Sequence, residues 1–261
     1  PQLFNPIFER HGVDAILVPA HVPREDAPGF MRQVLRAGNI DGLWLTIPHK
    51  PLAMGLLARC DRHAQLAQAV NAVRRNADGS LEGAMFDGRG FTRSLHHFGF
   101  QAAGKRVLLV GAAGGAGTAI ACALLDEAPQ LLALGDLGER AQALAQRLAP
   151  HAGATQVVAA GNDPAGFDLV VNATPLGLSM SDPLPFDVDR LEAGAQVVDI
   201  LMKPNGTPLL DACAARGIQA RPGFEMLVQQ VPDYLEFFGL DAAAQAVRAD
   251  LDAIRSLVQR P

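Results

Sequence analysis

Residues 107–110 form an unbroken apolar run that stops at a glycine cluster, Gly111-Ala112-Ala113-Gly114-Gly115-Ala116-Gly117, and an alanine-rich apolar segment continues to Leu125. So short a run, apolar on both faces, reads as a buried parallel strand followed by a tight turn and a helix start. Glycine lets the backbone turn sharply and approach a ligand closely. The opening helix presents unpaired N–H groups and the positive end of its dipole, which suit a pyrophosphate. Gly111, Ala112, Ala113, Gly114, Gly115 and Ala116 are therefore candidate cofactor-binding residues. A second strand over 131–135 runs into Asp136, about where an acidic residue takes the adenosine ribose hydroxyls. The glycine spacing is not a clean G-x-G-x-x-G, so the same residues also suit a strand–helix turn with no ligand.

The 261 residues are 49% hydrophobic, enough for one large or two modest cores. A net charge of −5 provides no global basic field to attract nucleic acid. Cys60, Cys122 and Cys213 lack C-x-x-C or zinc spacing and read as small core residues, so no metal is expected. That usage fits a reducing, cytoplasmic location. No stretch reaches the ~18 continuous apolar residues of a membrane helix, so no membrane partner is expected.

Leu3, Phe4, Ile7 and Phe8 space like one helix face, and residues 14–19 read as a buried strand. A helix is predicted around 27–37, a strand over 43–47, and helical segments over 52–60 and before Asn71. Residues 69–74 and 81–87 read as strands joined by a hairpin-type turn at 77–80, with a helix over 91–99. Gly104-Lys105 marks entry to a second domain. There, strands at 107–110, 131–135, 155–159, 168–172 and 195–199 alternate with helices at 115–126, 138–148 and 209–216. Such βαβ alternation implies a parallel sheet with right-handed crossovers. The predicted fold class is α/β. Helices over 226–238 and 242–257 have no strand partner in the second domain and are expected to return to the first.

In an open α/β sheet, ligands bind beyond the carboxyl ends of the strands. Three polar positions follow predicted strands there. Lys50 ends Thr46-Ile-Pro-His-Lys50 and can act as acid or base when partly desolvated beside a carboxylate; a surface lysine on a proline turn is the plainer reading, and His49 is a rival titrating group. Asp87 precedes Gly88 and Gly90, either as a turn former or as a carboxylate presented to a cleft. The Asn172-Ala-Thr174-Pro175-Leu-Gly177 loop is placed to line the nicotinamide side, or merely satisfies its own turn.

These motifs occur in one order together with Ala69-Val-Asn71, Asp199 followed by Thr207-Pro-Leu-Leu210, and Gly223-x-x-Met-Leu-Val-x-Gln230. The chain resembles the shikimate/quinate dehydrogenase family over nearly its whole length. The resemblance implies a substrate-binding catalytic domain over 1–100, a Rossmann NAD(P)-binding domain over 101–220, and C-terminal helices over 221–261 packing on the first domain. It implies a role in aromatic amino acid biosynthesis and assigns Lys50 and Asp87 as catalytic, and Thr46, Asn71 and Gln230 as substrate-binding. It also assigns Asn172, Thr174, Pro175 and Gly223 to the cofactor, with the glycine turn and Asp136. Lys50 is expected to accept the proton of a ring hydroxyl as hydride leaves for the nicotinamide, with Asp87 orienting both groups.

Some positions depart from the family pattern. The family carries a Ser-x-Ser carboxylate anchor and a first strand ahead of the segment matching 1–5, which these residues do not include. Met85-Phe86 replaces Asn-Thr, Ala72 replaces Thr, Trp44 replaces a common Asn, and Met202 replaces a common Tyr. Losing these polar groups near the expected ring site predicts a divergent member that accepts shikimate weakly or not at all. The expected ligand is a small hydroxylated cyclic acid, and the expected assembly a monomer or homodimer. A carboxylate at Asp136 repels a 2′-phosphate, so NAD is expected over NADP. A nucleotide-binding paralogue without catalysis, and a two-domain Rossmann enzyme of the methylene-tetrahydrofolate dehydrogenase type, are the competing readings.

Overall fold

A computed structural model of the chain describes residues 1–258. They fall into two compact units, one made of residues 1–86 with the chain from Val228 onward, the other of Asp87–Leu227. The first unit opens with α1 (Phe4–Arg10) and α2 (Ala27–Val34), then β1 (Gly42–Trp44), β2 (Arg59–Cys60), α3 (Arg62–Ala67), and the hairpin β3 (Ala72–Arg75) and β4 (Leu81–Ala84). Its sheet has the order β1-β3-β4-β2, with β1 and β4 antiparallel to β3 and β2 parallel to β4.

The second unit begins with α4 (Asp87–His97). It continues through β5 (Arg106–Val110), α5 (Gly115–Asp126), β6 (Leu131–Gly135), α6 (Arg140–Leu148), β7 (Gln156–Ala160), β8 (Leu169–Asn172), β9 (Gln196–Asp199), α7 (Pro208–Ala215) and β10 (Gln219–Pro222). Six parallel strands lie in the order β10-β9-β8-β5-β6-β7. Strands β6 and β8 are buried from end to end, and β5 from Val107 on, which is why they read as continuous apolar runs rather than alternating ones. The chain builds outward from β5 through β6 to β7, then returns to build from β8 through β9 to β10. The strand order therefore reverses between β5 and β8, the crevice where such sheets take ligands.

The chain then enters α8 (Phe224–Phe237), α9 (Asp241–Ala249) and α10 (Leu251–Val258). Val228, Val231, Tyr234 and Leu235 of α8 join Phe4, Ile7, Phe8 and Phe86 in the core of the first unit, with Ala244, Val247 and Ile254. Aromatic rings fill that core. Trp44 stacks on Phe238 with centroids 4.3 Å apart and lies 5.6 Å from Tyr234, and Phe86 meets Tyr234 edge-on at 5.0 Å.

The boundaries differ from those expected near 100 and 220. α4 belongs to the second unit because Gly88 lets it lie directly on α5. A Cβ at Gly88 would fall 2.2 Å from the Ala119 carbonyl oxygen and 2.7 Å from the Ala123 Cβ. The second boundary lies inside α8, after Leu227.

Three local expectations also change, and one strand has no counterpart among them. Residues 14–19 form no strand, and Ile16 and Val18 are exposed. The Asn5 side chain bonds the backbone there, donating to the Leu17 carbonyl at 3.1 Å and accepting from its N–H at 2.7 Å. Residues 52–60 form turns, a 3₁₀ turn and β2 instead of a helix. The single helix expected over 242–257 is two, divided at Asp250. Strand β10 has no apolar run to announce it; it is an edge strand paired only with β9.

Gly88→Val should overpack the α4–α5 contact and lower the unfolding free energy by about 1–3 kcal/mol. A thermal melt should fall by several degrees, and an unchanged midpoint would show that the helices can separate without cost.

Candidate active site

The first unit gathers one polar cluster around Asn71. This residue precedes β3, is fully buried, and uses its side chain to join three segments. Its Oδ1 accepts from the Phe86 N–H at 3.1 Å, and its Nδ2 donates to Gln230 Oε1 at 3.3 Å. Its own carbonyl accepts from the Leu45 N–H at 2.8 Å. Lys50 is 9% exposed, and its carbonyl accepts from the N–H of Val70, the residue before Asn71, at 3.0 Å. Lys50 is therefore not the surface lysine of the plainer reading. Thr46 lies at the start of the same turn, is exposed, and accepts from the His49 N–H at 2.8 Å. The structure thus brings Asn71 and Gln230 together and seats Lys50 on the adjoining backbone. It also fixes the backbone at Phe86, immediately before Asp87. Asp87 is the first residue of α4 and is 6% exposed.

The second unit builds a cradle at the strand-order reversal. Gly111 follows β5 with φ +83°, a conformation that favours glycine, and a Cβ there would lie 2.6 Å from the Ala173 carbonyl carbon. A Cβ at Gly117 would fall 2.2 Å from the Gly111 carbonyl oxygen. The turn is pinned by Gly111 and Ala112 N–H groups donating to the Gly135 carbonyl, and by the Thr118 hydroxyl donating to the Ala112 carbonyl. Helix α5 starts at Gly115 with Gly114 as its N-cap, so the N–H groups of its first turn have no intrahelical acceptor. A helix terminus of this kind, set at the carboxyl edge of a parallel sheet, is suited to an anion.

Asp136 follows β6 and is engaged on both oxygens. Oδ2 accepts from the Ala113 N–H at 2.8 Å, and Oδ1 accepts from the Leu137 N–H at 2.8 Å. The Arg140 guanidinium lies 3.2 Å from Oδ1 and also donates to the Ala113 carbonyl at 2.9 Å. Gly223 follows β10, where a Cβ would meet the Ile200 carbonyl oxygen at 2.3 Å, so it closes on the end of β9.

Asn172 closes β8, but its amide is saturated. Nδ2 donates to Asp199 Oδ1 and the Leu176 carbonyl, and Oδ1 accepts from the Thr174 N–H and hydroxyl. Two donors and two acceptors are the full capacity of an amide side chain. The expectation that this amide itself faces a ligand is therefore replaced by one in which it shapes the following loop. The hub behind it is Asp199, which is fully buried. Its signal is a carboxylate ending an apolar strand, since such groups are seldom buried unpaired. Among the described residues no group of histidine, cysteine and acidic side chains could hold a metal ion, and no helix is long and apolar enough to cross a membrane.

The shikimate dehydrogenase substrate binding domain family matches residues 1–73. The shikimate dehydrogenase (NADP(+)) of Rubrobacter xylanophilus is 37% identical, over 96% of this chain and 90% of its own. The chain belongs to the shikimate dehydrogenase family. Among solved structures, the quinate dehydrogenase of Corynebacterium glutamicum in complex with NAD is similar, with TM-score 0.81, 30% identity, and 95% and 93% of the two chains covered. The 5-ketofructose reductase of Gluconobacter sp. strain CHM43 is also similar, with TM-score 0.79, 25% identity, and 95% and 92% covered.

Two residues that depart from the shikimate dehydrogenase pattern, Trp44 and Phe86, belong to the aromatic core. Met85 is fully buried, while Met202 is exposed on the loop after β9.

Gly117→Ala should leave the sheet intact but displace the Gly111 carbonyl. Dinucleotide affinity measured by fluorescence titration should fall by about tenfold or more, the loss expected when the backbone cannot close on a pyrophosphate. Unaltered affinity would remove the cradle from the binding surface.

Proposed function

We propose that this family member moves a hydride between a nicotinamide dinucleotide and a ring hydroxyl or ketone of a shikimate- or quinate-like acid. The observation that carries it is the backbone cradle of Gly111 and Gly117 over the N-terminus of α5, set where the strand order reverses. Positions that a Cβ would fill fit a pyrophosphate held by backbone N–H groups. When bound, the nicotinamide supplies or accepts the hydride. The rest is the work of side chains and backbone. Lys50 takes the proton from the substrate oxygen during oxidation and returns it during reduction. Asp87 orients the hydroxyl and the ammonium group. Asn71 and Gln230 hold substrate hydroxyls, with Thr46 at the edge of the same turn. The backbone of 173–175 lines the nicotinamide side.

Substrate choice follows from the same residues. Trp44 and Phe86, where the family pattern carries polar residues, pack in the aromatic core of the first unit, and the relatives' names support shikimate as the first substrate to test. Lys50→Ala should lower kcat for shikimate or quinate by about 10²–10⁴, the usual worth of a positioned acid–base group. Cofactor affinity should change little. Retained turnover would remove Lys50 from the chemistry.

For the cofactor, we infer NADP(H) in place of the NAD preference expected from Asp136 alone. That expectation assumed a bare carboxylate. Asp136 instead accepts from two backbone N–H groups and is paired with Arg140, so its charge is largely answered and a cation stands beside it. A guanidinium there suits a 2′-phosphate, and the NADP(+) in the Rubrobacter relative's name supports the same choice. Arg140→Ala should weaken NADPH binding by about tenfold, as losing a charged hydrogen bond implies, and NADH binding less than about twofold. Tighter NADH than NADPH binding in the unmodified protein would reverse the assignment.

A further inference from the structure

The carboxyl end of β9 holds a fully buried carboxylate that no step above uses. Asp199 Oδ1 accepts from Asn172 Nδ2 at 3.0 Å and from the Leu201 N–H at 3.2 Å. Its Oδ2 accepts from the Thr207 hydroxyl at 2.6 Å. Burial pushes this carboxyl's pKa up, against the bonds from Thr207, Leu201 and Asn172, which favour the charged form. Thr207 is in turn the N-cap of α7, accepting from the Leu210 N–H.

The hydrogen bonds leading away from Asp199 have one possible polarity. A carboxylate only accepts, so the Asn172 Nδ2 must face it. The same NH₂ group donates to the Leu176 carbonyl at 3.2 Å. Oδ1 must then face the other way, where the Thr174 N–H donates at 3.0 Å and its hydroxyl at 2.6 Å. The Thr174 hydroxyl, having donated, accepts from the Leu176 N–H at 3.1 Å. A flipped Asn172 would set oxygen against oxygen at both Asp199 and Leu176 and leave the Thr174 donors facing an NH₂. One charge thus orients the Asn172 amide and, through it, the bonds that hold residues 174 and 176.

That backbone is the wall of the cradle. A Cβ at Gly111 would lie 2.7 Å from the Thr174 nitrogen, the atom whose N–H the Asn172 Oδ1 accepts. The far end of the loop is clamped separately. Lys203 donates to the Leu178 carbonyl at 2.8 Å, and Asp182 accepts from the Gly177 and Ser179 N–H groups. The near end is held by the Ala173 N–H donating to the Val110 carbonyl of β5 at 2.7 Å, and between these anchors the side-chain bonds to residues 174 and 176 come from the Asn172 amide that Asp199 orients.

We propose that Asp199 is a positioning residue for the nicotinamide half of the cofactor, acting through the Asn172 amide on the 173–176 backbone. This rests on the dinucleotide reading of the glycine cradle. It separates the two halves of the cofactor energetically, because the adenosine half meets Gly111–Gly117 and Asp136 on the β5–β6 side, whereas the side-chain bonds that run from Asp199 through Asn172 end at residues 174 and 176 beyond β8. Asp199→Asn keeps the size of the side chain. Its NH₂ group must then face either the Asn172 NH₂ or the Thr207 hydroxyl, which already donates in that direction.

The test compares binding of NADPH with binding of ADP-ribose 2′-phosphate, which lacks the nicotinamide, to the full-length protein and its variants. The expected result for D199N is about tenfold weaker NADPH binding and a lower kcat, with ADP-ribose 2′-phosphate affinity within about twofold of the unmodified protein; tenfold is the scale of a lost bond to a charged group. T174V, which removes only the loop hydroxyl, should show the same split to a smaller degree and keeps the test open if D199N does not fold. Equal weakening of both ligands would assign Asp199 to general structure, and no weakening of either would leave it without influence on the site; each overturns the proposal. An unmodified protein that binds neither ligand would overturn the dinucleotide reading itself.

Discussion

Two strands of the second unit end closer together than any side chain would permit. The backbone leaving β5 at Gly111 and the backbone leaving β8 at Ala173 and Thr174 are packed against each other with no room for a methyl group. Gly117 keeps the first turn of α5 equally close to Gly111. Close-packed backbone is stiff, and buried backbone groups must find partners. The Gly135 carbonyl answers the Gly111 and Ala112 N–H groups, and Asp136 answers that of Ala113. The result is a surface of fixed N–H groups and carbonyls at the point where the sheet reverses its strand order. Binding a dinucleotide there would require little ordering of the protein.

The first unit solves a different problem. Its sheet is small, with a β2 of only two residues, and it obtains its core from α8, α9 and α10 at the end of the chain. Asn71 turns this closure into a polar one, answering Phe86 from β4's exit and Gln230 from α8 with a single amide. A buried polar group of this kind stabilises only while all its partners are present. The residues assigned to substrate are therefore the same ones that hold the unit's pieces in register, and any change of specificity at Asn71 has to be compatible with that role.

Much of the second unit was legible in the residues. Strands β5, β6 and β8 are buried on both faces, so their apolar runs are unbroken, and the glycine cluster after β5 admits few conformations. The first unit was less legible. Residues 14–19 carry a strand-like pattern, yet strand formation depends on a hydrogen-bonding neighbour, and among the described residues no strand pairs with them. The apolar spacing of 52–60 resembles a helix face, but the segment is drawn into turns that deliver Arg59 and Cys60 to the edge of β4. Strand β10 has too few apolar residues to be seen, because an edge strand beside β9 needs little more than backbone pairing.

The chain's own residues determined the α/β class, the strand–turn–helix around Gly111, and the polar positions worth inspecting, since each follows from local periodicity and backbone freedom. Only the tertiary structure decided what those polar groups do. A run of letters cannot say that Asn172 has spent both its donors and both its acceptors on Asp199 and its own loop, that Arg140 reaches back to Asp136, or that Trp44 and Phe86 belong to an aromatic core. Hydrogen-bond capacity and charge are fixed by residue type, but whether they are already used depends on partners distant in sequence, and folding alone brings those partners together.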